Sequence, residues 1–214
     1  MIAEKLQKIL EDIPSHVTLV AVPKTKPNSA IMAAYDSGQR DFGENKVQDL
    51  AIKAEELPKD IHWHMIGHLQ RNKVKYIAPF VHLIHAVDSF KLLKEINNRA
   101  QQNERVINCL LQIHIAQEET KFGFSETEVK SLLSEASQLE HVCIKGLMGM
   151  ATYTSDLTVV KQEFASLKNL YDDFKKSQPE FEILSMGMSG DYVTAIEEGS
   201  TMVRVGSAIF GSRA

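Results

Sequence analysis

A chain of 214 residues, 43% apolar and 24% charged, has the make-up of an ordinary globular protein and is long enough for one large α/β domain. Its net charge of −4, without any dense run of Lys and Arg, argues against general nucleic-acid affinity. No apolar run is long enough to cross a bilayer, which argues against a membrane partner. The first residues, Met1 to Leu6, read as a charged amphipathic helix rather than a secretory segment. Cys109 and Cys143 lie in apolar, strand-like runs and are expected to be buried reduced thiols, with a cytoplasmic location as the matching expectation.

Along the chain the hydrophobic period switches repeatedly between 2 and 3.6. It predicts strands at 17–22, 40–43, 62–66, 81–86, 106–115, 142–148, 183–185 and 201–205. Helices are predicted at 28–37, 46–57, 71–78, 90–103, 126–138, 158–176 and 191–198, with Ser89 and Ser125 as N-caps. Phe90, Leu92, Leu93 and Ile96, and again Phe164, Leu167, Leu170 and Phe174, form helix faces suited to packing on a sheet. Strict alternation implies parallel pairing through right-handed crossovers. Eight such strands predict a closed (β/α)8 TIM-type barrel spanning 1–214 as one domain; an open doubly wound sheet is the alternative.

In a barrel the chemistry sits on the loops after the strands. The first strand runs into Pro23-Lys24-Thr25-Lys26, placing an amine at the end of a buried apolar segment. Desolvation and a second nearby cation would both disfavour charge on Lys24 and leave an amine able to condense with an aldehyde. Met186-Gly187-Met188-Ser189-Gly190 follows the seventh strand and Gly206-Ser207 the eighth, the two loops from which barrels build phosphate sites. Arg204, between Val203 and Val205, points to the opposite face from both valines, where it needs an acceptor. A structural carboxylate would serve, as would a ring nitrogen of a bound cofactor. An aldehyde-reactive amine, a phosphate cup and an arginine near a ring nitrogen together describe a site for pyridoxal 5′-phosphate (PLP).

The stretches Ala21-Val22-Pro23-Lys24-Thr25-Lys26-Pro27, Phe42-Gly43-Glu44-Asn45-Lys46, Trp63-His64-Met65-Ile66-Gly67-His68-Leu69-Gln70-Arg71-Asn72, Ser185-Met186-Gly187-Met188-Ser189 and Thr201-Met202-Val203-Arg204-Val205-Gly206-Ser207 carry a resemblance. Through them nearly the whole chain resembles the family of pyridoxal phosphate homeostasis proteins (the YggS/PROSC family), whose fold matches the N-terminal barrel of alanine racemase, fold type III among PLP proteins. The resemblance implies that Lys24 holds the cofactor as an internal aldimine, a Schiff base. It also implies that Ser189, Gly206 and Ser207 cup the phosphate, that Arg204 meets the pyridine nitrogen and that Asn45 lines the pocket. Pro23 stands where the family usually has serine, Lys46 replaces a common tyrosine, and Ser207 often reads threonine; of these, Pro23 is the one expected to tilt Lys24.

The resemblance implies a PLP carrier that buffers or hands on the cofactor, with PLP-dependent apo-enzymes as recipients, Lys26 or Lys121 as transient acceptors, and a monomer. An arginine at the pyridine nitrogen weakens the ring as an electron sink. Met150 stands where the racemase stacks a histidine, and Tyr153 and Tyr192 are the nearest acid/base candidates. A fold type III amino-acid racemase or decarboxylase is the alternative, and a barrel isomerase acting on a sugar phosphate is a further one. His62 and His64 share a strand face with His68 close by, but no carboxylate or Cys stands beside them at ligand spacing. They therefore read as hydrogen-bonded histidines, with His64 able to reach the mouth. His82, His85 and His114 show no constellation, and the loop at 118–123 is expected at the rim or in solvent.

Overall fold

The computed structural model describes residues 1–118 and 122–211. Eight parallel strands close into a barrel in chain order: β1 (Thr18–Ala21), β2 (Asp41–Glu44), β3 (His62–Met65), β4 (Leu83–Val87), β5 (Ile107–Ile113), β6 (Val142–Gly149), β7 (Ile183–Met188) and β8 (Met202–Val205). β1 pairs with β8, Val20 opposite Arg204, so the sheet has no edge and the open doubly wound alternative is excluded. Helices α1 (Ile2–Asp12), α2 (Asn28–Tyr35), α3 (Val47–Glu56), α4 (Phe90–Gln102), α5 (Glu126–Ala136), α6 (Leu157–Lys175), α7 (Tyr192–Glu197) and α8 (Ser207–Phe210) complete the order. The expected helix over 71–78 is a 3₁₀ segment, Arg71–Tyr76, and Pro79 bars an α-helix from continuing through Ala78.

The caps form as the sequence implies. Ser89 Oγ accepts from the Leu92 amide, and Ser125 and Glu128 make a reciprocal capping box. The sequence pattern passed over Asp156, which caps α6 through the Thr158 amide at 2.9 Å. Two apolar layers hold the barrel together. Outside the strands, Leu92, Leu93, Ile96, Phe164, Leu167 and Phe174 are buried against the sheet, where each large side chain contributes roughly 1.5–3 kcal/mol. Inside, Val20, Val22, Leu83, Leu110, Met148 and Met202 form a separate cluster.

Cys109 is fully buried, and desolvation raises its thiol pKa far above the ordinary value. Cys143 is only half-buried, as are its neighbours at the start of β6, and its Sγ is directed to Glu180. No helix among the described residues is long and apolar enough to cross a membrane.

Candidate functional site

The C-terminal ends of the strands surround a cavity of about 460 Å³, with Lys24, Ser189, Arg204, Gly206 and Ser207 in its wall. Five of the six residues expected at the site thus meet in one place, though they come from opposite ends of the chain. Asn45 is not among the residues lining the cavity. Its backbone packs under Gly67, where a Cβ would come within 2.4 Å of the Asn45 carbonyl oxygen, so the loop after β3 lies directly on the loop after β2. Lys121 lies outside the described residues, as do Glu119 and Thr120.

Lys24 sits in a tight turn in which the Lys26 amide donates to the Pro23 carbonyl at 2.9 Å. Thr25 takes φ of +61°, a left-handed conformation that is unusual for a β-branched residue and stores local strain. Thr25 Oγ1 donates to the Lys24 carbonyl at 2.6 Å, which helps hold the turn. Pro23 is buried at its start, and Lys24 and Lys26 both line the cavity, half-buried. Ile66, Met150 and Val22 supply apolar wall.

The last two loops are tied together. Gly187, at φ +97°, turns β7 over so closely that a Cβ there would lie 2.6 Å from Ala195 Cβ. Ser189 Oγ then accepts from the Gly206 amide at 3.0 Å, its one hydrogen bond among the described residues, which leaves its own proton for an oxygen in the cavity. Asp191 caps the Met188 amide at 2.6 Å. Ser207 opens α8, so its amide and that of Ala208 have no helical partner. Among the described residues, three cations against one carboxylate, Asp191, make the wall suited to an anion.

Arg204 is 4% exposed and has no carboxylate within ion-pair distance among the described residues, so the structural-partner reading of this arginine does not hold. It donates instead to the Ser185 carbonyl and hydroxyl and to the Gly149 carbonyl. Guanidinium has five N–H donors, so Nε–H and one Nη2–H remain for an acceptor in the cavity. Burial pushes its pKa down to about 10, which still leaves it charged at neutral pH.

Behind Arg204 a chain of side chains crosses the barrel axis, which the sequence reading missed. Ser185 Oγ lies 3.0 Å from His85 Nδ1, His85 Nε2 lies 2.8 Å from His64 Nδ1, and His64 Nε2 lies 3.0 Å from Asp41 Oδ1. His64, His85 and Ser185 are completely buried. Both ends of the chain act in one direction only, since guanidinium can only donate and carboxylate can only accept. The assignment Arg204 → Ser185 → His85 → His64 → Asp41, with each imidazole donating from Nε2, satisfies every member of the chain. The expectation that His64 reaches the mouth is overturned: it lies one interior layer below Ile66 and lines a cavity at the opposite end. His85, which showed no constellation in the sequence, is the centre of this one. The only sequence signal was two histidines at inward-facing positions of neighbouring strands.

Desolvation, then the charges of His64, Arg204 and His82, hold the His85 pKa well below its ordinary 6.5. A histidine depressed in the folded state binds its proton more readily when unfolded, so stability falls as pH drops below about 6.5. Going from pH 7 to pH 5 is expected to cost about 2 kcal/mol through His85 alone, read as a lower urea midpoint. A midpoint unchanged over that range contradicts a buried neutral imidazole. Burial acts to raise the Asp41 pKa, but the His64 hydrogen bond and the imidazoles of His62 and His82 outweigh it and leave the pKa lowered.

Residues 1–214 match the family model of the alanine racemase N-terminal domain. The chain belongs to that family. Within it, the chain is 40% identical over 205 residues to a pyridoxal phosphate homeostasis protein of Vibrio alginolyticus, covering 94% of this chain and 88% of the relative. PipY of Synechococcus elongatus, solved with PLP bound, superposes with a TM-score of 0.91 at 35% identity, covering 99% of this chain and all of that one. A Clostridium difficile alanine racemase, 13% identical, shares the fold with a TM-score of 0.84; this chain covers 56% of it.

Outside the cavity wall, His68 bonds Asp88 at 2.8 Å and its ring stacks on that of Phe122. Tyr153 lines the cavity while 98% exposed, whereas Tyr192 packs partly against the core.

Proposed function

We propose that this chain binds pyridoxal 5′-phosphate in the cavity at the C-terminal mouth and serves PLP homeostasis by buffering or delivering it. The names of the relatives and the PLP-bound PipY structure support the ligand. The observation that carries the reading is Arg204: a buried cation without a carboxylate partner among the described residues, with two donors left at the cavity wall. The donor set fits the cofactor group by group. Bound PLP supplies an aldehyde that condenses with a primary amine, and Lys24 offers that amine. The Ser189 hydroxyl, Ser207 and the free amides at the start of α8 suit the phosphate. Arg204 suits the ring nitrogen and keeps it an acceptor, and Met150 and Ile66 give the ring apolar walls.

The same arginine supports a carrier over a strong catalyst, because an unprotonated ring nitrogen draws electrons weakly. Tyr153 at the lip is the observation that favours the racemase or decarboxylase alternative. Incubating the PLP-loaded protein with D- and L-amino acids separates the two readings. Turnover near roughly 1 s⁻¹ or faster supports the enzyme, and loss of PLP to an added apo-enzyme without such turnover supports the carrier. Delivery to PLP-dependent apo-enzymes and a monomeric state belong to the carrier proposal. Replacing Ser189 by alanine is expected to weaken PLP binding roughly 30-fold, the worth of one charge-assisted hydrogen bond, in equilibrium titration of the apo-protein. An unchanged affinity removes Ser189 from the phosphate cup.

A further inference from the structure

The barrel's N-terminal opening, at the far end of the buried chain, carries a second cluster of chemical groups. Asp41 begins β2, His62 begins β3, and His82 directly precedes β4. Asp41 and His62 are paired residues across the two strands, and the His82 amide donates to the Trp63 carbonyl at 2.8 Å, so three adjacent strand starts bring the side chains together. One ligand atom from each residue lies within 4.8 Å of the other two. Asp41 and His82 also line an open cavity of about 300 Å³, with Glu182 across it. No carboxylate stood beside the histidines in sequence; the β2–β3 register supplies one.

We propose that Asp41, His62 and His82 form a site for a divalent transition-metal ion of the zinc class. Two imidazoles and a carboxylate suit zinc and its neighbours, while calcium and magnesium prefer all-oxygen sets. At bond lengths near 2.1 Å, two ligand atoms on a tetrahedral ion stand roughly 3.4 Å apart. His62 Nδ1 and Asp41 Oδ1 already stand 3.3 Å apart. The rings of His62 and His82 stack with centroids 4.5 Å apart, and both residues are exposed, so a rotation about their side-chain bonds closes the third position. Water from the cavity fills the fourth.

The carboxylate is oriented from behind, as metal-binding carboxylates are, because the buried His64 Nε2–H donates to Asp41 Oδ1 at 3.0 Å. The chain from Arg204 thus ends as the support of a ligand rather than in open solvent. This site is separate from the cofactor cavity and does not rest on the PLP reading.

The test is titration of the full-length protein with zinc chloride against a chelating dye, with cobalt(II) substitution as a second readout. One zinc per chain is expected, and His62→Asn and His82→Asn are each expected to lower the affinity about a hundredfold or more and to abolish the cobalt absorbance bands. His114→Asn, at an exposed loop position after β5, is expected to change neither. Because His62 and His82 are exposed, their variants are expected to keep the far-ultraviolet circular dichroism of the parent. Equal affinity in all four proteins, or no stoichiometric zinc at all, overturns the proposal.

Discussion

Lys24→Ala is expected to abolish the covalent PLP adduct altogether. After mixing with PLP and reducing with borohydride, mass spectrometry should find the parent modified at Lys24 and the variant unmodified. Lys24 lines the cavity together with Ser189 and Arg204, the residues proposed to hold the cofactor's phosphate and ring nitrogen. Lys26 shares the cavity wall but is set apart from Lys24 by the left-handed Thr25. Lys26→Ala is therefore expected to keep the adduct. The proposed phosphate cup and Arg204 are untouched in Lys24→Ala, so PLP should still bind, reversibly and about a hundredfold or more weakly, a loss of at least about 2.7 kcal/mol. An adduct that moves to Lys26 with undiminished occupancy in Lys24→Ala would sink the assignment.

His85→Leu is the second large effect, and it falls on stability. Leucine matches the imidazole closely enough in volume to limit packing loss, but it removes both central hydrogen bonds. The Ser185 hydroxyl then loses its acceptor and His64 Nδ1 its donor, with both groups completely buried. Two buried polar groups left unsatisfied cost about 3 kcal/mol together, or roughly 9 °C in the melting temperature of a chain this size. The variant should also lose the His85 share of the decline in stability between pH 7 and pH 5, about 2 kcal/mol, and keep the share of His82, whose pKa burial lowers to about 4. A melting point within a degree of the parent's would show that the chain of hydrogen bonds contributes nothing to the fold.

Most of the mouth was legible in the sequence because each of its residues is marked by local context. Lys24 follows an apolar run, Arg204 sits between two inward-excluded valines, and Ser189 and Ser207 stand beside turn-forming glycines. Asn45 has no such mark: whether it meets the cavity depends on where the loop after β3 rests, and Gly67 lets that loop lie directly over its backbone. Cys143 shows the same dependence, since a strand's apolar pattern does not reveal which of its positions the rest of the fold covers.

The one-dimensional pattern determined the alternation of strands and helices, the barrel, the caps at Ser89 and Ser125, and which loops line the cavity at the mouth. These rest on periods of 2 and 3.6 residues and on capping chemistry, which act between near neighbours. Only tertiary structure decided that His85 meets Ser185, 100 residues away, and that Asp41 meets both His64 and His62. Such meetings follow from barrel closure and strand register, which arise from packing of the whole chain and leave no trace in the residues next to each partner.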